Sequence, residues 1–451
     1  MRYKNVYFIG IGGIGMSAIA RYFQFKGSHV SGYDRTPSDL THALEAEGIE
    51  VHYEDRPECI PSDVRNTLVI YTPAVPDSFD ELVQARERGY RVIKRSQVLG
   101  EITAGQRCLA VAGTHGKTTT CTLVAHILTE SGTGCSAFLG GISKNYGTNM
   151  LVSHTPTVVA EADEFDRSFH QLHPAIASIS AMDADHLDIY GDLVHMQEAY
   201  RIFASQVSET LILKLGLPIR QQDVSARIFT YHFDDERADF RSTNLRLDAT
   251  GHYTYDLVYP GGKLNDIRVG ALGWVNVENS IAAAAICLCY GLDAQKVRHA
   301  IGTFEGAQRR LDVHLNTPSL TYIDDYAHHP TEIRATLTAA MHYPHRKLWC
   351  LFQPHTYTRT AALLDEFADA LSLADEVVLA DIYAAREKNT IGISSEDLKN
   401  KMAAAGCQVS YMTNFGQIAY YIRESAREGD VVITMGAGNI YAVGDDLLSG
   451  K

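Results

Sequence analysis

The sequence predicts an α/β protein with three domains, and three observations support that prediction. The chain has 451 residues, a length that corresponds to about two to four domains of ordinary size. Short apolar strands alternate with helical stretches along most of the chain, as in parallel sheets that helices cover. A glycine-rich turn follows an apolar strand at two places. The expected domains are residues 1–105, 106–307 and 308–451.

Composition and charge narrow the classes of protein. Hydrophobic residues make up 45% of the chain and charged residues 21%, an ordinary balance for a globular protein. The net charge of −14 argues against nucleic-acid and acidic-membrane partners, which need a basic surface. The first apolar run is too short and too rich in glycine for a signal peptide or a membrane helix. The eight cysteines form no CxxC pair, so we expect a reducing, cytoplasmic setting and neither a zinc site nor a redox dithiol.

The first domain is expected to open with a strand, a glycine-rich turn and a helix. The predicted helix covers residues 16–25, and the predicted strands cover residues 6–9, 29–33, 68–71 and 92–93. In the pattern Gly10-x-Gly12-x-x-Gly15, backbone amides and a helix N-terminus can face a pyrophosphate. Asp34 ends the second strand, where a carboxylate can accept a hydrogen bond from a ribose hydroxyl. On this motif alone, an NAD-binding dehydrogenase domain is an equally good interpretation.

A second phosphate loop lies between a strand at residues 108–112 and a helix that runs to residue 128. Its amides can surround phosphates, Lys117 can neutralise β and γ oxygens, and the Thr118 hydroxyl can bind Mg²⁺. The loop departs from the strict GxxxxGK[ST] pattern, because Ala112 and Val111 stand four and five residues before Gly116. A chance turn is the alternative, which the strand–helix context disfavours. The loop residues are Gly113, Thr114, His115, Gly116, Lys117, Thr118 and Thr119.

Two acidic segments follow later strands of this domain. Residues 161–166, beginning with Glu161, come after a strand at 157–160, and a carboxylate there is suited to magnesium. A solvated charge run is the alternative interpretation. Residues 183–188 come after a strand at 175–180 and contain His186 among three aspartates. One ring nitrogen of such a histidine can bind a metal while a carboxylate holds the other, although a lone histidine is usually structural.

The rest of the chain predicts a further small sheet and a third α/β domain. Residues 227–269 alternate polar and apolar side chains, which indicates a small antiparallel sheet, and residues 280–290 form an alanine-rich buried helix. Strands of the third domain are expected at 320–323, 347–352, 376–379 and 431–434. Its polar clusters are Arg309–Arg310, residues 324–332 and residues 353–360. Arginines at such positions can stabilise a transferring phosphoryl group or bind a carboxylate.

Taken together, these stretches resemble the Mur ligase family over nearly the whole chain. The resemblance rests on FIGIGGIGMSAIA, AGTHGKTTT, EADEFDRSF, DADHLDIYG, NVEN at residues 276–279, DDYAHHPTEI and FQPHTYTRT. It implies a Rossmann-like N-terminal domain for a UDP-sugar, a central P-loop ATPase-like domain with a mainly parallel sheet plus a small antiparallel sheet, and a Rossmann-like C-terminal domain for an amino acid.

The resemblance also implies an activity. The branch with these motifs uses ATP and Mg²⁺ to join L-alanine to the lactyl carboxylate of UDP-N-acetylmuramate through an acyl phosphate, a step of peptidoglycan precursor synthesis. A cytoplasmic monomer or weak homodimer, with no nucleic-acid or membrane partner, is expected.

Residue roles follow from the resemblance by position. Lys117, Glu161, His186, His328 and Arg359 are the implied catalytic residues. Mg²⁺ would be held by Thr118, Glu161 and His186. Beyond the phosphate loop, ATP would contact Asn276, Asn279, Arg310 and Asp324. The nucleotide sugar would contact Gly12, Gly13, Gly15, Ser17, Asp34 and Thr72. The amino acid would contact Tyr326, His328, His355 and Arg359.

The sequence departs from the family at two positions. Val275 replaces the histidine that usually precedes the first asparagine of the adenine motif, and Thr356 replaces an arginine that many relatives carry. The second change leaves Arg359 as the better candidate for binding a carboxylate. No lysine occurs between His186 and Lys214, so the carbamylated lysine of other branches is not expected.

Three other functions remain open at this point. A nicotinamide-dependent oxidoreductase would explain the first glycine-rich turn but not the second loop and its acids. A related ligase that attaches a recycled tripeptide to the same nucleotide sugar would share most of the motifs. A non-catalytic nucleotide-binding regulator would not need Lys117, Thr118, Glu161 and His186 together.

Overall fold

The protein is described here by a computed structural model that covers residues 3–183, 187–248, 250–341, 343–385 and 387–449. The N-terminal strands are β1 (Asn5–Ile9), β2 (His29–Tyr33), β3 (Glu50–His52), β4 (Thr67–Tyr71) and β5 (Arg91–Lys94). The N-terminal helices are α1 (Ile14–Phe25), α2 (Asp39–Ala46), α3 (Asp80–Glu87) and α4 (Arg95–Thr103).

The N-terminal sheet is parallel, with the strand order β3-β2-β1-β4-β5. Residues 6–9 of the central strand β1 are buried, because helices cover both faces of such a sheet. The strand order reverses beside β1, and ligands bind at the carboxyl ends of the strands next to such a reversal. The glycine-rich turn, Asp34 and Thr72 follow β1, β2 and β4 at that edge, as the sequence predicts.

The central sheet has ten strands in the order β15-β14-β13-β12-β11-β10-β6-β9-β7-β8. Its first strands are β6 (Arg107–Ala112), β7 (Ser136–Ser143), β8 (Thr148–Leu151), β9 (Thr157–Glu161) and β10 (Ile176–Ile179). The remaining strands are β11 (Thr210–Lys214), β12 (Arg227–His232), β13 (Phe240–Leu247), β14 (Tyr253–Tyr259) and β15 (Gly262–Arg268). The helices are α5 (Lys117–Glu130), α6 (Leu187–Tyr190), α7 (Leu193–Ser205), α8 (Val275–Tyr290) and α9 (Ala294–Thr303).

The segment predicted as a small antiparallel sheet continues this central sheet. Its first strand, β12, pairs in parallel with both β11 and β13, and β14 and β15 extend the edge. The middle of the sheet is also parallel, since β6 pairs in parallel with β9 and β10. The loop between β6 and α5 therefore lies at the carboxyl edge, beside the residues that follow β9 and β10.

The N-terminal and central sheets belong to one compact unit, formed by Met1–Leu245, Tyr255–Gly270 and Glu278–Glu305. A continuous cluster of buried apolar side chains runs through both sheets. For example, the rings of Tyr22 in α1 and Phe138 in β7 lie 5.4 Å apart between centroids. Burial of this apolar area is the main force that holds the two sheets together.

The second unit comprises Arg246–Thr254, Ala271–Val277 and Gly306–Lys451. Its strands are β16 (Asp312–Asn316), β17 (Leu320–Asp325), β18 (Leu348–Phe352), β19 (Glu376–Leu379), β20 (Val409–Tyr411) and β21 (Asp430–Met435). Its helices are α10 (Pro330–Met341), α11 (Tyr357–Ala362), α12 (Leu364–Leu371), α13 (Ser395–Ala404), α14 (Phe415–Ser425) and α15 (Ala442–Ser449).

The sheet of the second unit has the order β16-β17-β21-β18-β19-β20. Only β16 is antiparallel to its neighbour, and the other strands pair in parallel. The loops after β17 and β18 therefore lie on one edge, which brings together two polar clusters of the sequence. In the described ranges, no helix has both the length and the apolar character needed to cross a lipid bilayer.

Candidate active site

Close contacts shape the glycine-rich turn after β1. Gly10 has φ +90°, and a Cβ there would lie 2.6 Å from Thr72 Cγ2. A Cβ on Gly12 would lie 2.8 Å from Asp34 Oδ2, to which the Gly12 amide donates a hydrogen bond of 2.7 Å. The other Asp34 oxygen accepts the Thr36 amide at 3.3 Å. Asp34 thus holds the turn in shape, and its contact with a ribose stays a prediction.

Ser17 has an anchoring role in this structure. Its side chain is fully buried, accepts a hydrogen bond of 2.9 Å from Asn149 Nδ2 and donates one of 3.0 Å to the Ile14 carbonyl. Asn149 lies on β8, so these bonds fasten the start of α1 to the central sheet. Gly13 is the N-cap residue of α1, and Gly15 follows within its first turn.

The phosphate loop is tightly packed against the end of β10. Gly113 has φ +128°, and a Cβ there would lie 2.1 Å from Ser180 Oγ. The Thr114 amide donates to the Ala181 carbonyl at 3.2 Å, and His115 Nε2 lies 3.1 Å from Asp183 Oδ2. Gly116, with φ +77°, is the N-cap of α5. The loop therefore leads into a helix N-terminus, as a phosphate site requires.

Lys117 is held by two oxygen atoms at the start of α5. Its Nζ donates to the Gly113 carbonyl and to Glu164 Oε1, both at 2.7 Å. Burial alone would lower the pKa of Lys117, but Glu164, Glu161 and Asp163 outweigh that effect and raise it. Glu164 is fully buried, and burial raises the pKa of its carboxyl despite the charge of Lys117. The lysine is thus charged and positioned by a buried carboxylate.

Thr118 and Glu161 lie together next to Lys117. The Thr118 hydroxyl donates to Glu161 Oε1 at 3.2 Å, and the Gly140 amide donates to Glu161 Oε2 at 3.1 Å. A Cβ on Gly140 would lie 2.2 Å from that oxygen, so a side chain there would displace the Glu161 carboxylate. A hydroxyl beside a carboxylate is a donor set that suits Mg²⁺. The third predicted ligand, His186, lies outside the described residues, among which no group of three or more His, Cys, Asp or Glu forms a metal cluster.

The two asparagines of the NVEN stretch belong to different units. Asn279 accepts a hydrogen bond of 3.3 Å from Thr120 Oγ1 in α5, and its Oδ1 would lie 2.7 Å from a Cβ on Gly116. Asn279 is therefore next to the phosphate loop. Thr119, the last residue of that loop, directly precedes Thr120 and is buried. Asn276 donates from Nδ2 to the Leu272 carbonyl at 2.6 Å, within the second unit.

In the second unit, Asp324 is bound by Arg309. Arg309 Nε donates to Asp324 Oδ2 at 3.0 Å, and Thr434 Oγ1 donates to Asp324 Oδ1 at 2.8 Å. Burial raises the pKa of Asp324, although Arg309 opposes the shift. The guanidinium of Arg310 lies 5.1 Å from the Tyr326 ring centroid. Arg310 is thus placed by a cation–π contact next to the amino-acid cluster, and both ATP contacts predicted here stay predictions.

The residues that are predicted to contact the substrate amino acid form one cluster at the ends of β17 and β18. The rings of Tyr326 and His328 lie 5.4 Å apart, and those of His328 and His355 lie 5.6 Å apart. Arg359 Nη1 donates to His355 Nδ1 at 3.5 Å. Tyr383, which the prediction did not include, stacks on His355 at 5.9 Å. The cluster therefore combines one cation with imidazole and phenol rings.

Both histidines of this cluster are held neutral near pH 7. Burial and the nearby His328 and Arg359 lower the pKa of His355 to about 4. Burial also lowers the pKa of His328, with Glu332 opposing and Arg359 adding to the shift. His328 Nδ1 lies 3.0 Å from the Tyr326 carbonyl, so Nδ1 donates and the neutral ring keeps its lone pair on Nε2.

Besides Tyr383, the sequence analysis did not single out Gly140, Lys94 or Arg95 beside the site, although two kinds of signal could have indicated them. Gly140 lies inside a strand, where glycine marks the close approach of another group. Lys94 ends β5 and Arg95 starts α4 at the same carboxyl edge as the glycine-rich turn. Arg95 contacts Asp163 at 3.2 Å, and Lys94 lies 3.5 Å from Asp166.

A phosphate loop whose lysine and threonine meet the carboxylates of Glu164 and Glu161 defines an enzyme that uses a nucleoside triphosphate, and a second unit with an arginine-containing cluster fits a ligase. Comparisons with known proteins identify the family. Three family models match successive parts of the chain: "Mur ligase family, catalytic domain" at residues 5–107, "Mur ligase middle domain" at 111–287 and "Mur ligase, glutamate ligase domain" at 309–438. The chain belongs to the Mur ligase family.

Relatives with solved structures or curated names agree with this assignment. The chain is 45% identical over 444 residues to UDP-N-acetylmuramate–L-alanine ligase of Phocaeicola vulgatus, covering 97% of this chain and 96% of the relative. The crystal structure of UDP-N-acetylmuramate–alanine ligase from Thermotoga maritima matches with a TM-score of 0.84 and 27% identity, over 99% and 98% of the two chains. A murein peptide ligase from Psychrobacter arcticus shares the fold, with a TM-score of 0.70 and 22% identity over 99% and 98%.

Proposed function

We propose that this chain joins L-alanine to the lactyl carboxylate of UDP-N-acetylmuramate, with conversion of ATP to ADP and phosphate. One observation carries the proposal: Lys117, Thr118 and Glu161 meet at the carboxyl ends of β6 and β9, where a terminal phosphate can be bound and transferred. The 45% identity to an alanine ligase over 97% of the chain supports the choice of substrates. The setting is a cytoplasmic step of peptidoglycan precursor synthesis, which suits eight free cysteines.

Each domain has one task in this proposal. Residues 1–105 bind the nucleotide sugar, residues 106–307 bind ATP, and residues 308–451 bind the amino acid. The glycine-rich turn, with Gly12, Gly13 and Gly15, can hold a diphosphate against the N-terminus of α1. Asn276, Asn279, Arg310 and Asp324 are the residues outside the phosphate loop that would contact ATP.

Thr118 and Glu161 would hold Mg²⁺ with oxygen donors, and His186 is the proposed ligand of a second ion. Magnesium bound there would neutralise phosphate charge and favour transfer of the γ-phosphoryl group. Lys117 contributes a further positive charge, which belongs to the protein itself. Its amine can stay where it is and donate to phosphate oxygens in place of Glu164. The lactyl carboxylate then attacks the γ-phosphate and gives an acyl phosphate.

The amine of alanine attacks the acyl carbonyl, and phosphate leaves. His328 Nε2 is the proposed proton acceptor, because the ring is neutral and its Nδ1 is fixed by the Tyr326 carbonyl. Arg359 binds the alanine carboxylate, since Thr356 supplies no charge. His355 and Tyr326 line the same cluster. No covalent enzyme nucleophile is needed.

The test is phosphate release from ATP and Mg²⁺ with UDP-N-acetylmuramate and single amine substrates. The panel contains L-alanine, glycine, L-serine and the tripeptide that murein recycling yields. We expect release with L-alanine to exceed release with the tripeptide, and the new amide to be seen by mass spectrometry. Release with the tripeptide alone would move the chain to the recycling branch. Absence of ATP consumption with every amine would refute the proposal, and a shift in NADH fluorescence on binding would favour the oxidoreductase.

A further inference from the structure

The acidic loop after β9, defined here as residues 161–167, divides its carboxylates between two sites. Glu161 accepts from Thr118 at 3.2 Å, and Glu164 accepts from Lys117 at 2.7 Å. Asp163 instead contacts Arg95, at the start of α4 in the N-terminal domain, at 3.2 Å. Asp166 lies 3.5 Å from Lys94. One short loop therefore holds the phosphate-loop residues with two of its acids and the nucleotide-sugar side with the other two.

Arg95 also lies directly against the glycine-rich turn. A Cβ on Gly15 would lie 2.8 Å from Arg95 Nη1, so the guanidinium rests on the first turn of α1. That turn contains no acidic side chain. A cation at the positive end of a helix is electrostatically unfavourable, and Asp163 compensates it here. A ligand diphosphate at the same turn would give Arg95 a second anionic partner.

The connection between Arg95 and the loop is stiff. Helix α4 begins at Arg95 and packs closely on Gln171, which lies four residues beyond the acidic loop. A Cβ on Gly100 of this helix would lie 2.6 Å from the Gln171 carbonyl oxygen. Asp166 and Arg167 have φ of +51° and +52°, values that cost free energy for residues other than glycine and that occur at functional sites. A stiff loop passes a shift at Asp163 to Glu161 and Glu164 more effectively than a flexible one would.

We propose that Arg95 and Asp163 couple the nucleotide-sugar pocket to the ATP site through the acidic loop, with Arg95 as a positioning residue that responds to the anion bound at the glycine-rich turn. The inference rests on the proposed function. It does not make Arg95 a group that touches the reacting atoms, because the residue acts through Glu161 and Glu164. Its effect is a coupling between two binding events, which is reciprocal for the two ligands.

The experiment measures this coupling by calorimetry on the full chain. The dissociation constant of UDP-N-acetylmuramate is determined first without and then with a saturating non-hydrolysable ATP analogue and Mg²⁺. The first constant divided by the second is called the coupling ratio. We expect R95Q and D163N each to lower the coupling ratio at least about 5-fold, which is near the small end of known couplings. A small coupling is expected because both side chains are partly exposed to solvent, Arg95 by 23% and Asp163 by 35%. The double variant should lower it no further than either single change.

Matched variants separate coupling from other effects. R95K keeps the charge without the forked guanidinium and is expected to retain more of the ratio than R95Q. R88Q removes another arginine of the N-terminal domain, the C-cap residue of α3, whose guanidinium contacts Pro57 and Gln84, and should leave the ratio unchanged. Melting midpoints confirm that each variant is folded.

Three results would overturn the inference. The first is a fall of the coupling ratio in R95Q and D163N that is smaller than about 5-fold. The others are an additive fall of the ratio in the double variant and an equal fall in R88Q. Failure of the wild-type chain to bind the nucleotide sugar at all would instead refute the proposed function. The two failures are distinguishable because the first concerns a ratio of dissociation constants and the second concerns a single constant.

Discussion

Replacing Lys117 by alanine tests the central interaction of the active site. Lys117 is 14% and Glu164 0% exposed, and the two are joined at 2.7 Å. Loss of the lysine removes a charge that would face the transferring phosphate, so we expect the rate to fall at least ~10²-fold. It also leaves Glu164 buried without its cation, a change that costs about 3–5 kcal/mol when one partner of a buried pair is removed. This is a large part of a typical folding free energy of about 5–15 kcal/mol.

The stability loss should depend on pH in a defined direction. Burial already raises the pKa of Glu164, and removal of Lys117 raises it further. Below that raised pKa the carboxyl of the variant is protonated, so little charge remains buried. As pH rises through the raised pKa, the carboxylate ionises and the loss reaches its full size. K117A should therefore differ from the wild type more at about pH 8 than at about pH 5.

A double variant separates stability from catalysis. K117A/E164Q removes both charges and keeps the shape of the glutamate side chain, so it should regain most of the folding free energy but none of the phosphate release. Urea denaturation at the two pH values and an assay of phosphate release give the two quantities. A stability loss that is equal at both pH values, or activity that returns in the double variant, would contradict the role assigned to this ion pair.

Three further predictions concern the amino-acid cluster and the Glu161 site. Arg359→Ala should raise the Michaelis constant for L-alanine far more than that for ATP, and equal effects on both would remove Arg359 from the amino-acid pocket. Because the pKa of His328 is lowered from its ordinary 6.5, the ring stays neutral as pH falls through 6.5, and kcat/KM for alanine should decline only at lower pH. His328→Gln should abolish that acidic decline, and an unchanged profile would exclude His328 as the proton acceptor. Gly140→Ala would put a Cβ 2.2 Å from Glu161 Oε2 and should lower the rate at least ~10-fold while raising the Mg²⁺ requirement. Gly302→Ala, with its nearest atom at 3.5 Å, is the matched control, and equal losses in both would show a general effect of the added methyl group.

Several strands of the two units were predictable from short β-rich runs that alternate with helical stretches and end at turns. Residues 29–33 and 376–379 are strands with the predicted bounds. The three-residue edge strands β3 and β20 were not predicted, since so short a run has no clear period of hydrophobic residues. Helix α8 starts at Val275 and not near residue 280, because the polar asparagine motif does not look like the start of a buried helix.

Asp34 shows the limit of assigning a role from a motif. Its position after β2 predicts a contact with a ribose, and the structure places it at that edge of the sheet. The carboxylate nevertheless holds the Gly12 amide at 2.7 Å, a bond that depends on the path of the turn between the two residues. No pattern of residue types reports that path, since the same turn can place a carboxylate toward a ligand or toward the backbone.

The sequence by itself determined the class of the fold, the phosphate loop, the family and most residues of the amino-acid cluster, because periodic hydrophobic runs and local motifs are properties of neighbouring residues. Only the tertiary structure decided which acid meets which base. Lys117 and Glu164 are 47 residues apart and meet because the adjacent parallel strands β6 and β9 end at one edge of the central sheet. Arg95 and Asp163 are 68 residues apart, follow strands of two different sheets, and meet because those two sheets pack together in one unit. Pairing energies act over a few ångströms, and those distances exist only once the sheets have formed and packed together.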